Sequence, residues 1–90
     1  GYFFMILKEK NINQPFAIKR IRADRRDFSV KLTSDDFMLG EDIKIPNEFE
    51  LVIKHSKIKR FSGDSKLVEV FKMNIDNYNV IKQENLKITF

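Results

Sequence analysis

An all-β fold is what this sequence predicts, on three observations. Apolar and polar residues alternate with a period of two in several short windows, the pattern of a strand with one wet face. The composition suits a pleated surface, with nine phenylalanines among many isoleucines and valines. Clusters of Asn, Asp, Gly, Pro and Ser separate the windows at short intervals. Together they predict a small antiparallel β-barrel or barrel-like sandwich of six to seven short strands. One short helical turn is expected near residues 34–39. A closed sheet is favoured because it removes the exposed edges that a small domain must otherwise protect.

The elements follow in chain order. Tyr2–Leu7 is a continuous apolar run, read as the first strand. The chain starts at Gly1, so residues 1–4 read either as appended residues or as the cut end of a longer chain. Asn11–Pro15 forms a turn. Phe16–Arg22 is the second strand, but its alternation breaks: Phe16 and Ile18 share one parity, Ile21 and Ala23 the other. A bulge near Lys19-Arg20 would restore one apolar face and turn Arg20 and Arg22 outward. Ala23–Arg26 is a turn into Asp27–Thr33, where Phe28, Val30 and Leu32 alternate with polar residues. Ser34–Gly40 reads as the helical turn, with Ser34 as cap and Asp35 and Asp36 at the positive end of its dipole. Ile43 and Ile45 alternate as a short strand, and Phe49, Leu51 and Ile53 as a longer one. Ser62-Gly63-Asp64-Ser65 is the clearest hairpin loop. Lys66–Ile75 carries apolar residues on both parities, which implies cover on both faces or a partner. Asp76–Asn79 reads as a loop, Gln83–Asn85 as a tight connection, and Leu86, Ile88 and Phe90 as the inner face of a last strand.

Ninety residues are read as one small β domain, residues 1–90, with an expected radius of gyration of about 12 Å. There is room for one core and a shallow groove. The chain has no cysteine, which excludes a disulfide framework, a thiolate nucleophile and a cysteine zinc site. Nothing calls for an oxidising compartment, and a cytoplasmic address is expected. The longest apolar run, Tyr2–Leu7, falls far short of the ~20 residues that span a bilayer, so no membrane insertion is expected.

Candidate chemistry is sparse. His55 is the only histidine, so no multi-histidine site can form, and it reads as a surface residue among lysines. Asp35, Asp36, Glu41 and Asp42 lack the spacing of an EF-hand loop and read as solvated acids. Three glycines leave no glycine-rich phosphate loop. The chain is therefore read as non-catalytic and without a cofactor. Arg22-Ala23-Asp24-Arg25-Arg26 has the Arg-x-x-x-Arg spacing of PilZ domains, small β-barrels that bind a cyclic dinucleotide. Their companion Asp/Asn-x-Ser-x-x-Gly is met only at Asp35 and Gly40. Phe37 stands where serine is expected, and the segment follows the arginines too soon. That ligand is not carried over, and a small-molecule sensor has only this spacing behind it.

Charge is the most informative feature. The net charge is +4, but it is segregated along the chain. Residues 19–31 hold six basic and two acidic residues, and residues 51–72 hold the same numbers. Residues 32–50 hold one basic and six acidic. Such blocks become patches in space if the fold keeps them apart. The first expectation is a nucleic-acid-binding module for RNA or single-stranded DNA. Arg20, Arg22, Arg25, Arg26, Lys57, Lys59 and Arg60 would neutralise phosphates, and Tyr78 or Phe61 would stack a base. The alternative is a protein-interaction or assembly module. There the two-faced strand Leu67–Ile75, or the apolar Tyr2–Leu7, pairs with another chain by strand addition, and the acidic block faces the basic one of a second copy.

Overall fold

The computed structural model describes residues 1–22, 27–38, 40, 44–57 and 65–89. It is mostly β. Four strands, β1 (Tyr2–Lys8), β2 (Ala17–Arg22), β4 (Glu48–Ser56) and β5 (Lys66–Asn74), form one antiparallel sheet in the order β2-β1-β4-β5. Two more, β3 (Asp27–Val30) and β6 (Leu86–Thr89), form a separate antiparallel pair. A 3₁₀ turn spans Ser34–Asp36, and a helix, α1 (Ile75–Gln83), joins β5 to β6.

The expected barrel does not close. β2 and β5 stand at opposite ends of the four-stranded sheet, and β3 pairs with β6 rather than bridging them. Small size is accommodated instead by two layers. The radius of gyration is 12.3 Å, as the length predicts.

The core lies between the layers. Phe3, Met5 and Leu7 of β1 share one face with Phe49, Leu51 and Ile53 of β4, and they pack with Val30, Leu32, Phe37, Ile81 and Ile88. Met5, Leu7, Leu51, Ile53 and Ile81 are fully buried. The opposite face of the sheet has its own small cluster, Phe4, Ile6 and Val52, flanked by Tyr2 and Ile18. β1 is thus buried on both faces, which is why its sequence shows a continuous apolar run rather than an alternation.

Three local expectations change. β2 carries no bulge: its register against β1 is continuous from Ala17 to Arg22. Both parities of β2 are apolar because both faces of the sheet are buried beside it: Ile21 packs on the main core and Ile18 on the outer cluster. The bulge sits in β5. Ile53 faces Glu69 while Lys54 faces Leu67, so Val68 is the extra residue. It brings Val68 to the core beside Phe71 and Met73 despite their opposite parity. Leu67 and Val70 are left on the other side, exposed.

The third change is α1, where the sequence suggested a loop at Asp76–Asn79. Asn77, one of the residues that suggested the loop, is half of the helix cap, and Asn74, read as strand, is the other half. The Asn74 side chain accepts from Asn77 N–H at 3.0 Å, and the Asn77 side chain accepts from Asn74 N–H at 2.9 Å, a reciprocal capping box. Asp76 sits in the first turn and Lys82 in the last, each suited to the helix dipole. The inner face, Tyr78 and Ile81, rests on the core. At nine residues, α1 is too short for a long helical periodicity.

The turn near residues 34–39 does form, capped by Thr33 rather than Ser34. Asp36 Oδ2 accepts from Thr33 N–H at 2.8 Å and from Thr33 Oγ1 at 3.2 Å. Ile45 packs on the core outside any strand. Ile43 and the loop residues Ser62-Gly63-Asp64 lie outside the described residues.

Candidate functional site

The outer face of the four-stranded sheet holds two described basic residues of the candidate set, Arg20 and Arg22. Strand register sets its rows. Arg22, Tyr2 and Ser56 form one, across β2, β1 and β4. Arg20, Phe4, Lys54 and Leu67 form the next, running the width of the sheet. Ile18, Ile6, Val52 and Val70 form the third, and Lys8, Glu50 and Lys72 the last. The first two rows carry Arg22, Arg20 and Lys54, the third is wholly apolar, and the last mixes two lysines with Glu50.

The rows differ in what they expose. Phe4, Ile6 and Val52 are buried at 4% each. Phe4 lies between Arg20 and Lys54, whose long aliphatic stems suit such a position. The Arg20 guanidinium lies over the Tyr2 ring, 5.7 Å from its centre, within cation–π range. Lys8 pairs with Glu50 at 3.4 Å. At the β5 end the character changes: Leu67 is 62% and Val70 39% exposed.

Of the nine residues singled out for nucleic acid, four are described. Arg20 and Arg22 share the outer face, without the bulge that was expected to turn them there. Lys57 follows β4 and is exposed. Tyr78 is elsewhere: it belongs to α1 in the second layer, edge-on to Phe37 and Phe49 at 6.4 Å each. Its ring is part of the core boundary, not of a surface with the arginines. The aromatic ring beside Arg20 is Tyr2, which the sequence offered only as part of the first strand. Arg25, Arg26, Lys59, Arg60 and Phe61 lie outside the described residues. His55 is half-buried, with its ring 5.2 Å from Phe3 in an edge-on contact, so it is less superficial than its lysine neighbours suggest.

The charge blocks partly cancel in space. Lys19 of β2 bonds Asp36 of the 3₁₀ turn at 3.2 Å, which ties the first basic block to the acidic one. The same turn closes over the edge of β2. Met38 N–H donates to Phe16 C=O at 3.1 Å, and Phe37 bridges to Ala17.

β5 is the contrasting edge. Among the described residues no strand pairs with its outer side. A groove of about 470 Å³ separates it from β6, lined by Phe71, Met73, Lys87, Ile88 and Thr89. Val70 N–H donates to the Glu69 carboxylate at 3.1 Å, and Asn74 N–H to Asn77. Ile75 N–H turns the other way, to Asn47 C=O beside β4. The outward backbone groups of β5 are therefore those of Val70, Lys72 and Asn74. This edge has an apolar margin, a groove on one side and a short run of available backbone. Sequence reasoning flagged the two-faced strand but not the carboxylate that sits on its edge.

Compared with known proteins, the chain matches no family model, no curated protein and no solved structure. No helix among the described residues is long and apolar enough to cross a membrane.

Proposed function

We propose that this chain is a non-catalytic interaction domain that takes up an extended polypeptide segment along the outer edge of β5. The observation that carries this reading is the exposure of Leu67 and Val70 on an edge strand without a described partner. Edge strands are ordinarily blunted by charge, bulges, proline or cover, and β5 carries Lys66, Lys72 and a bulge at Val68, yet Leu67 and Val70 stay exposed. An added strand would bond the outward backbone of Val70 and Lys72. Its side chains would alternate between the Leu67–Val70 margin and the groove beside Phe71 and Met73.

Selection from a library of random linear peptides tests it. Enriched sequences are expected to bind the wild-type chain and to lose at least tenfold in affinity for a Leu67→Lys/Val70→Lys variant of unchanged melting temperature. Equal binding to that variant would overturn the reading.

A second reading, binding of RNA or single-stranded DNA on the outer face, is favoured by Arg22 in one row with Tyr2 and by Arg20 and Lys54 in the next, with the Arg20 guanidinium over the Tyr2 ring. Fluorescence anisotropy with labelled oligonucleotides checks it. Affinity should fall log-linearly with salt and weaken on Arg22→Ala. Salt-independent binding would refute it.

A further inference from the structure

Glu69 occupies a position that an incoming strand needs. Its carboxylate accepts from Val70 N–H at 3.1 Å, where the carbonyl of an added strand would otherwise accept. At the other end of the edge the capping box holds Asn74 N–H. Between them lies Lys72, an exposed residue whose backbone faces away from β4. The edge is thus closed locally at both ends and open in the middle. The two closures differ in kind. The Asn74 bond belongs to the helix cap and is lost only if α1 loosens. The Glu69 bond is made by an exposed side chain to the next residue, and a rotamer change releases it.

The charge around this edge has a sign. Lys66 and Lys72 lie on β5, and Lys87 lines the groove beside it. All three are exposed, against Glu69 as the acid on β5. Glu50 stands opposite Lys72 but is taken by Lys8 at 3.4 Å, so once Glu69 swings away the edge presents Lys66, Lys72 and Lys87 beside the apolar Leu67–Val70 margin.

We infer that the partner segment alternates apolar with acidic residues, and that its backbone carbonyl displaces the Glu69 carboxylate from Val70 N–H, which makes Glu69 an internal competitor for the edge. This rests on the strand-addition reading and names the partner chemistry and the control of that same site. The incoming carbonyl replaces one hydrogen bond to Val70 by another, so net affinity comes from Lys72 and from burial of Leu67 and Val70. Removing the competitor removes a cost of binding without adding a contact.

The test uses the whole chain, labelled with nitrogen-15, and two end-blocked seven-residue peptides: one alternating glutamate with valine, the other lysine with valine. The amides of Val70, Phe71 and Lys72 are expected to shift with the glutamate peptide. The lysine peptide should bind at least about tenfold more weakly, and Glu69→Ala should tighten the glutamate peptide by about three- to tenfold. Glu69→Gln keeps an acceptor oxygen without the charge and should fall between the two. Equal binding of both peptides at β5 overturns the acidic preference and leaves strand addition standing. An unchanged or weaker affinity in Glu69→Ala overturns the competitor role. Shifts confined to Arg20, Arg22 and Tyr2 mark a general polyanion surface and overturn the inference. Absence of shifts at β5 with either peptide, in wild type and Glu69→Ala alike, sinks strand addition itself and the inference with it.

Discussion

The two outer strands of the sheet, β2 and β5, face the same physical problem and meet it differently. Each has one side of its backbone paired and one side turned away from the sheet. Beside β2 the chain folds back: Phe37 bridges to Ala17, Met38 N–H bonds Phe16 C=O, and Lys19 holds Asp36 at 3.2 Å. Its outer-face side chains include Arg20 and Arg22, charges that discourage a second strand. β5 receives no such cover among the described residues. Its edge is closed only by side chains near in sequence, Glu69 and Asn77, and its margin is apolar. An edge covered by tertiary contacts is finished structure. An edge closed by one exposed carboxylate is reversible. That difference is why the functional reading centres on β5, although the candidate cations gather toward β2.

Both edges hang on β1 and β4, so the largest expected effect lies between them. Leu51 is fully buried on β4, opposite Leu7 on one side and Phe71 on the other. Leu51→Ala should cost about 2–5 kcal/mol, the transfer term plus the cavity left behind. Urea unfolding with an unchanged slope measures it. A loss below about 1 kcal/mol would mean that the two edges do not share a tight core, and the comparison would lose its footing.

The next effect separates the edges. Asp36→Ala removes the bonds to Thr33 and the ion pair with Lys19. The pair is partly buried, with side-chain exposures of 27% and 12%, so a loss of about 1–2 kcal/mol is expected. Amide exchange at Met38 should quicken while exchange along β5 stays as it was. Equal quickening at β5 would show that the cover of β2 stabilises the whole sheet rather than one edge. Asn74→Ala probes the other side. Loss of the cap should cost about 1 kcal/mol, and exchange should quicken first within α1.

The strands β1, β4 and β6 were legible because a wet face or a fully apolar run is a local property. Arg20 and Arg22 lie two residues apart and so share a face, but their outward turn was read from a bulge that β2 does not carry. The helix was not: Asn74, Asp76 and Asn77 serve loops and helix caps equally well, and nine residues give only Tyr78 and Ile81 as an inner face. Tyr78 was misplaced with it, from a free surface to the core boundary. Barrel closure was not legible either, because whether β2 meets β5 depends on contacts far apart in sequence. The pairing of β3 with β6 joins residues 27–30 to 86–89, a separation that no local pattern encodes. The bulge was assigned to the wrong strand, because two windows showed a fault in alternation. In Phe16–Arg22 the fault is relieved by a second buried face, in Lys66–Asn74 by the extra residue Val68.

The smallest expected change in stability is at the open margin, where it is also the most diagnostic. Leu67 is 62% exposed, whereas Val52 near the centre of the same face is 4% exposed. Leu67→Thr removes apolar surface that folding leaves largely exposed, and it introduces a β-branched residue suited to a strand. Stability should therefore change by less than about 0.5 kcal/mol, read as a melting temperature within a degree or two of wild type. Peptide affinity at β5 should fall in the same variant, because the margin that a partner would bury has gone. A loss above about 1 kcal/mol would mean that part of this chain already covers Leu67 in solution. β5 would then be a covered edge like β2, and the contrast between them would vanish. A neutral Leu67→Thr that also binds peptide normally would keep the contrast and move the docking stretch toward Val70 and Lys72, where the outward backbone groups lie.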